Sequence, residues 1–487
     1  MNTPFLGLLI YLVLIMAVGA LTWKFNRTKE DFIIGGRRLG SWVIALSERT
    51  AAESSWLLLG LSGAVFWLGK GELWTVFGCV AGIFFSWMMI AHKLREESEA
   101  CGAITLPEYL FQRAGGQANT VRVVSMLIIV FFFAFYVGAQ FIGAGKVLNA
   151  TFGMPQFWGM VLGAVVIVGY TTMGGFLAVC WTDVVQGVLM IVTLVVLPIL
   201  GFILLWDKGI DLTVALEATR STASWVGGNT GWAAAALVIG GLSWGLGYMG
   251  QPHLVTKFMA IRSTNELPQS KAVAYVWTIF AYGGAVFVGL VGIGLLYGGV
   301  IPDSLLLDGS GVLDKERILP VLTNYLFPAW MAGILISGAV AAMMSTADSQ
   351  LLVATSTVVE DFYSKALGRI PSQAKMVMLS RLVTIGVGIG GFLLAVSTQN
   401  LIYKMVSYAW SGLGSSFGPA LLLSLHWKRV NAAGILAGML TGALTTIIWA
   451  EVPGLRDIIS ERAVSFVFAT IAVIVGTLLG KPTQKTY

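Results

Sequence analysis

The stretch SWVIALSERTAAESSWLLLG, residues 41–60, sets Glu48, Arg49 and Glu53 between two runs suited to hydrocarbon, VIAL and WLLLGL. Ionisable groups at membrane depth are costly, so they face a bundle interior or a watery cavity and mark an ion or solute path. The residues between Thr50 and Ser55 are small and polar, poor material for the middle of a helix. Together they predict a helix broken within the bilayer, with its backbone turned towards a ligand near the midplane. The plainer alternative is an Arg49–Glu53 pair, four residues apart, that neutralises itself and serves only helix packing.

Composition supports the membrane setting. Of 487 residues, 57% are hydrophobic and 11% charged, where a soluble domain carries about 25% charged residues. The 17 Trp, 26 Phe and 59 Gly fit interfacial belts and close helix packing. Cys79, Cys101 and Cys180 form no CxxC, and His92, His253 and His426 form no HExxH. With no metal-ligand cluster and no nucleophile–base motif, the chain does not read as an enzyme. The first apolar run, FLGLLIYLVLIMAVGALTW (5–23), lacks a basic leader and an A-x-A site, so it reads as a retained span. No hydrophilic linker divides residues 1–487. The expectation is one all-α membrane domain whose partners are the bilayer and a small solute, with no nucleic acid and no obligate protein partner.

Windows long enough to cross about 30 Å of hydrocarbon fall near 5–23, 42–68, 74–92, 122–145, 157–172, 183–206, 233–256, 273–297, 326–354, 382–398, 404–425, 431–450 and 463–480. About thirteen spans put the termini on opposite sides. With the amino terminus outside, the inner side gathers most of the basic residues, Lys24, Arg27, Arg37, Arg38, Arg95, Arg113, Lys257, Lys365 and Lys485 among them. Lys146 and Lys208 fall on the outer side. That bias places the carboxyl terminus in the cytoplasm. A second interruption is predicted in GGLSWGLGYMGQPHLV (240–255), rich in glycine and closing on Pro252. Breaks at matching places in two halves point to an inverted-repeat carrier.

The ninth span offers oxygen ligands for a hard cation in AVAAMMSTADSQ (339–350). Ser345, Asp348 and Ser349 share one helical face. Hydroxyls in membrane helices also serve to bond neighbouring helices, and the carboxylate of Asp348 favours ion binding. Asp183 reads either as a first-turn carboxylate of the sixth span or as an inward group near Asp348. Trp244 and Tyr248, four apart, either line a pocket or pack.

Seven segments, IIGGRRLGSW (33–42), ESSWLLLGLSGAVF (53–66), LPEYLFQR (106–113), GGFLAVCWTDVVQG (174–187), SWGLGYMGQPHL (243–254), MSTADSQLLV (344–353) and SYAWSGLGSSFGP (407–419), resemble in order the bacterial proline symporters of the sodium:solute symporter family. The resemblance implies thirteen transmembrane helices around a leucine-transporter-like core of 5+5 inverted repeats. The repeats would span 42–206 and 233–425, with 5–23 and 431–480 peripheral. It implies a sodium site of the Thr50, Glu53 and Ala342 carbonyls with the Ser345 and Thr346 hydroxyls. It implies a proline pocket of Ser54, Ser55, Trp56, Gly60, Tyr136, Trp244, Tyr248 and Pro252. Arg37 would serve coupling, and Asp183 and Asp348 match places where some relatives hold a second sodium.

One departure matters. Relatives carry an aspartate for sodium coupling where this chain has Ala52, and Glu53 stands next to it. A one-residue move turns a side chain by about 100° on a regular helix. Either sodium still binds, with Glu53 or Asp348 supplying charge, or Glu53 accepts a proton and couples transport to protons. The expected function is sodium-coupled import of L-proline by alternating access across a bacterial inner (plasma) membrane. The alternative is a proton-coupled carrier, or one for another small amino or organic acid.

Overall fold

Among the described residues, eight helices are long and apolar enough to cross a membrane, or nine if one bent pair counts as a single span. The computed structural model describes residues 3–23, 28–116, 118–172, 174–218, 220–308, 311–370, 372–398 and 401–481. Lys24, Arg27 and Lys485 of the charge count lie outside them. In chain order the main helices are α1 (Thr3–Trp23), α2 (Ser41–Ala52), α3 (Ser62–Leu68), α4 (Leu73–Met89), α5 (Ala91–Ala100), α6 (Leu106–Arg113), α7 (Asn119–Phe152), α8 (Gln156–Thr171) and α9 (Phe176–Asp207). There follow α10 (Gly231–Leu242), α11 (Pro252–Ala260), α12 (Leu267–Tyr297), α13 (Ala329–Ser356), α14 (Gln373–Ser397), α15 (Ile402–His426), α16 (Ala432–Glu451) and α17 (Glu461–Leu479). Extended pairing among the described residues is limited to isolated bridges.

The windows at 5–23 and 157–172 hold shorter apolar helices, and the one at 42–68 is split and charged. Length and hydropathy therefore do not by themselves fix the count at thirteen. Packing separates a centre from a rim. α2 is enclosed by α9, α12 and α13, whereas α16 and α17 pack on each other and on α15. α1 lies along α13 and α9. Outward-facing Trp42, Trp158, Trp206 and Trp330 are exposed, as befits side chains that meet lipid or its interface.

Small residues let the helices approach. A Cβ on Gly78 would strike the backbone of Leu242, and one on Gly82 the backbone of Gly245. Gly250 meets Gly414 and Gly418 of α15 in the same way. Without a hydrophobic force between helices in lipid, such close contact supplies the dispersion that holds them.

Arginines fasten the start of the first interrupted span to the end of the second. Gly35 and Gly36 take left-handed conformations (φ 65° and 61°), followed by Arg37 at φ 51°. For a residue with a side chain that conformation costs about 1–2 kcal/mol, and Arg37 holds it while binding four acceptors. Its guanidinium donates to the Ala103 carbonyl (2.7 Å), the Ser98 carbonyl and hydroxyl (each 3.3 Å) and the Met259 carbonyl (3.4 Å). Arg262 N donates to the Leu39 carbonyl at 2.9 Å, and Arg95 Nε to the Ile261 carbonyl at 2.6 Å. The segment before α2 is thus tied to the end of α11. Nearby, Glu108 faces Arg122 (2.6 Å) and Lys365 (3.3 Å). Burial opposes its charge, but Lys365, Gln112 and Arg122 outweigh burial and hold its carboxyl below the ordinary range.

Two lysines depart from the loop assignment. Lys257 is buried within α11. Lys146, assigned to the outer surface, is buried in α7 against Glu316 (2.6 Å) and Asp314 (2.8 Å). Their charges are matched inside the protein, so a count of basic residues by loop does not reach them.

Gly82→Val should lower the thermal unfolding midpoint of the purified protein, since overpacking a tight contact costs about 1–3 kcal/mol. Gly283→Ala, whose Cβ meets open space, should not lower it.

Candidate functional site

α2 ends at Ala52, and Glu53 takes φ −100°, ψ 65°, outside the helical region. Winding resumes through the wide turn Trp56–Leu61 into α3. Thr50, Ser54 and Ser55 bear hydroxyls that compete for backbone partners, and the local sequence gives no strong reason to stay helical. The freed groups are satisfied by specific side chains. Ser345 Oγ donates to the Thr50 carbonyl (3.2 Å) and lies 3.1 Å from the Ala342 carbonyl. Thr346 Oγ1 donates to the Ala51 carbonyl at 3.0 Å. On the far side, Ser55 N and Oγ both donate to Gln140 Oε1 (3.1 and 2.9 Å), and Trp56 N donates to Ser54 Oγ (3.1 Å).

Five oxygens therefore meet where α2 stops: the Thr50, Ala51 and Ala342 carbonyls with the Ser345 and Thr346 hydroxyls. The Ala51 carbonyl faces Thr346, where the resemblance implied that of Glu53. Thr50 Oγ1, Ser349 Oγ and both carboxylate oxygens of Asp348 are buried beside this set with no hydrogen-bond partner among the described residues. An all-oxygen group with unused acceptors suits a hard monovalent cation.

Glu53 contributes its side chain elsewhere. Its carboxylate accepts from Tyr282 (2.8 Å), Tyr248 (3.1 Å) and Arg49 (3.3 Å). Arg49 also binds Glu48 through two nitrogens, one of them Nε at 2.6 Å, and Trp87 Nε1 donates to Glu48 at 3.0 Å. All three charged residues are buried. The Arg49–Glu53 pair thus exists, but inside a network that joins α2, α4, α12 and the second interruption.

That second interruption lies between Leu242 and Pro252, with the single turn Trp244–Gly247 between. The halves are bent by 40°. Pro252 opens α11 as its first residue, where its missing N–H costs nothing; it starts a helix and kinks none. Trp56 from the first interruption lies on Trp244 from the second, with ring centres 4.5 Å apart and planes 31° apart. Tyr248 meets Trp410 edge-on at 4.6 Å, and Tyr136 lies 6.4 Å from Trp410. Gly60 leaves room beside Trp56 and Tyr403. The structure thus gathers Trp56, Gly60, Tyr136, Trp244 and Tyr248 about one aromatic cluster, with Ser54 and Ser55 at its base. Pro252 stands at the end of the interrupted segment, and Arg37 lies apart, bound to the Ala103 and Met259 carbonyls.

Asp183 is no cap. α9 begins at Phe176 after Gly175, seven residues earlier, so Asp183 sits inside the helix and is wholly buried. The sequence window opened late because TTMGGF precedes it, and glycine there was not read as the helix boundary. Gln140, Tyr282, Trp87, Trp410 and Lys257 were not singled out from sequence. Gln140 is the one polar side chain in FFFAFYVGAQFIGAG (131–145) other than Tyr136, and a scan for lone polar groups in apolar windows would have found it.

A model of the sodium:solute symporter family matches residues 32–442. The chain belongs to that family. It is 36% identical over 484 residues to the sodium/proline symporter of Escherichia coli (strain K12), covering 99% of this chain and 94% of that one. It is 38% identical to the high-affinity proline transporter of Bacillus subtilis (strain 168), covering 96% and 97%. Among solved structures, a Na+-coupled sialic acid symporter in a substrate-bound, outward-open state aligns with a TM-score of 0.79 at 20% identity, covering 99% of each chain. The transporter MhsT, in complex with L-phenylalanine, aligns at 0.56 and 14% identity, covering 90% and 97%. The fold of this symporter-family chain is accordingly leucine-transporter-like.

Arg49→Met should destabilise the protein by about 3–5 kcal/mol, because two buried carboxylates lose their cation. The triple change Glu48→Gln, Arg49→Met, Glu53→Gln should cost less than the single one. Thermal unfolding in detergent measures both; a triple variant weaker than the single would contradict the network's charge balance.

Proposed function

We propose that this protein imports L-proline together with sodium by alternating access. The observation that carries the reading is the break after Ala52, where the Thr50 and Ala51 carbonyls stand within 3.0–3.2 Å of the Ser345 and Thr346 hydroxyls. These residues, with the Ala342 carbonyl, would hold the sodium ion, and Asp348 on the same helix would offset its charge. Relatives covering nearly the whole chain are sodium/proline symporters, which supports proline as the solute. The ring of Trp56, Trp244, Tyr248, Tyr136 and Trp410 suits a small pyrrolidine. Ser54, Ser55 and Gly60 would leave room and hydrogen bonds for its carboxylate.

Cation and solute then share one hinge. The cation oxygens precede Glu53 and the solute residues follow it, so ordering the break for one ligand orders it for the other. Affinity gained by proline from sodium is gained equally by sodium from proline. Arg37 holds the inner ends of the two interrupted spans together and would act in closing the inner path. We place the amino terminus outside and the carboxyl terminus in the cytoplasm, in the plasma membrane of a bacterium. The repeats are 42–206 and 233–425, with 5–23 and 431–480 as rim helices in a thirteen-span arrangement.

Proton coupling through Glu53 is not favoured. The relatives that cover nearly the whole chain are named sodium/proline symporters, and the Glu53 carboxylate is engaged by Arg49, Tyr248 and Tyr282.

Proteoliposomes holding the purified protein should accumulate labelled L-proline only under an inward sodium gradient. Uptake unchanged by replacing sodium at constant pH would overturn the sodium assignment. Ser345→Ala and Thr346→Ala should each raise the sodium concentration for half-maximal uptake by about tenfold, within the range of typical coupling energies. Trp244→Ala should weaken proline uptake while leaving the protein folded. Competition by a panel of unlabelled amino and organic acids tests the solute.

A further inference from the structure

Lys257 lies on α11, only 1% exposed, and its ammonium points into the protein. Nζ donates to Ser47 Oγ at 2.8 Å and stands 3.3 Å from Asp183 Oδ2. Ser47 Oγ in turn donates to the same Asp183 oxygen at 2.6 Å. Cys180 Sγ is 3.5 Å from the ammonium, and the Phe176 ring lies beneath it, 4.8 Å from its centre. Ser47 belongs to the first interrupted span, Lys257 to the second, and Asp183 to α9. A cation fixed by a covalent stem therefore sits where three elements of the core meet.

We propose that Lys257 is a resident cation that takes the place of a second sodium ion at Asp183, leaving one mobile sodium to accompany each solute. The proposal rests on the sodium-coupled reading above. Family resemblance assigns Asp183 and Asp348 to a second cation, but the residues around Asp183 do not fit one. Its Oδ2 already accepts from a hydroxyl and an ammonium, which leaves Oδ1, buried and without a hydrogen-bond partner among the described residues, as its one remaining acceptor. A sodium ion brought to that oxygen would stand within a few ångströms of a positive charge that cannot leave. Asp348 keeps two oxygens without a hydrogen-bond partner among the described residues, one helical turn from Ser345. Of the two carboxylates, Asp183 is the one that Lys257 pairs with directly.

The tethered cation also does mechanically what a bound ion would do. It joins the first interrupted span to α9 and the second, without waiting for sodium. This contact should persist at any sodium concentration, whereas the Thr50–Ser345 region should respond to sodium.

The test uses full-length protein in proteoliposomes, with labelled sodium and labelled L-proline as probes. The wild-type protein should carry about one sodium per proline, with a Hill coefficient for sodium of about one. Lys257→Arg should keep both values. Lys257→Met should move the flux ratio and the Hill coefficient towards two, because Asp183 then lacks a cation. A wild-type ratio near two would overturn the proposal, as would a Lys257→Met variant that transports with unaltered ratio and sodium dependence. Should Lys257→Met fail to accumulate, Lys257→Met with Asp183→Asn carries the test, since it removes both charges together. That variant should keep one sodium per proline and a half-saturating sodium concentration within about twofold of wild type; a shift of about tenfold would mean that Asp183 serves the mobile ion. Failure of the underlying reading is distinguishable: the wild-type protein would then show no sodium-driven proline uptake at all.

Discussion

Lipid offers no hydrogen bonds, so a helix that stops halfway across a membrane must have every freed backbone group answered by protein or ligand, at several kcal/mol for each one left bare. α2 meets this condition with side chains from two other helices. Ser345 and Thr346 of α13 answer the Thr50 and Ala51 carbonyls, and Gln140 of α7 answers the Ser55 amide. The Trp56 amide turns to Ser54 Oγ. Three helices are thereby fixed to one short segment, and the rest of the core is arranged around it. The same account explains why oxygen atoms concentrate there: carbonyls freed from a helix and hydroxyls sent to meet them are already most of a cation shell.

The charges beside the break follow a different logic. Glu48, Arg49 and Glu53 are buried, and a buried ion pair adds little stability over an apolar equivalent. What the network supplies is connection. Glu53 belongs to the first interruption and Tyr248 to the second, and their hydrogen bond of 3.1 Å crosses between the two. Trp56 stacked on Trp244 crosses at the same level. The two interrupted spans are therefore joined at their breaks by a polar and an aromatic contact, and at the start of one and the end of the other by Arg37, Arg95 and the Leu39–Ile261 bridge. Movement of one interrupted span relative to the other must work against both sets.

Much of this was legible in the sequence. Charged residues amid apolar runs located the first interruption, and glycine with Pro252 located the second, because both depend on local propensity. The shared face of Ser345, Asp348 and Ser349 was legible from helical spacing, and Thr346 as its neighbour in the site came from the resemblance. Partners contributed across long sequence separations were not. Nothing local in VWTIFAYGGAV (276–286) says that Tyr282 meets Glu53, 229 residues away. That the Ala51 carbonyl accepts from Thr346 depends on where the helix lets go, which propensity places only within a residue or two. Lys257 was misplaced for a related reason. The positive-inside rule counts charges in water, and this lysine finds its counter-charge at Asp183 inside the bundle.

The position of the carboxylates bears on how this chain manages without an aspartate at position 52. Ala52 is the last residue of α2, and a side chain there could share the space of the cation oxygens. Glu53 does not restore that arrangement. One residue further on, beyond the end of the helix, its carboxylate is taken up by Arg49, Tyr248 and Tyr282. The negative charge available to the cation side lies instead on α13, at Asp348, one turn from Ser345 and free of hydrogen-bond partners among the described residues. Under the sodium reading proposed above, a carboxylate on α2 would pull the broken segment directly, whereas one on α13 would attract the ion to the unbroken helix and leave the Thr50 and Ala51 carbonyls to follow it. The broken helix would then be moved through its backbone, with its side-chain charge serving the contact between the two interruptions.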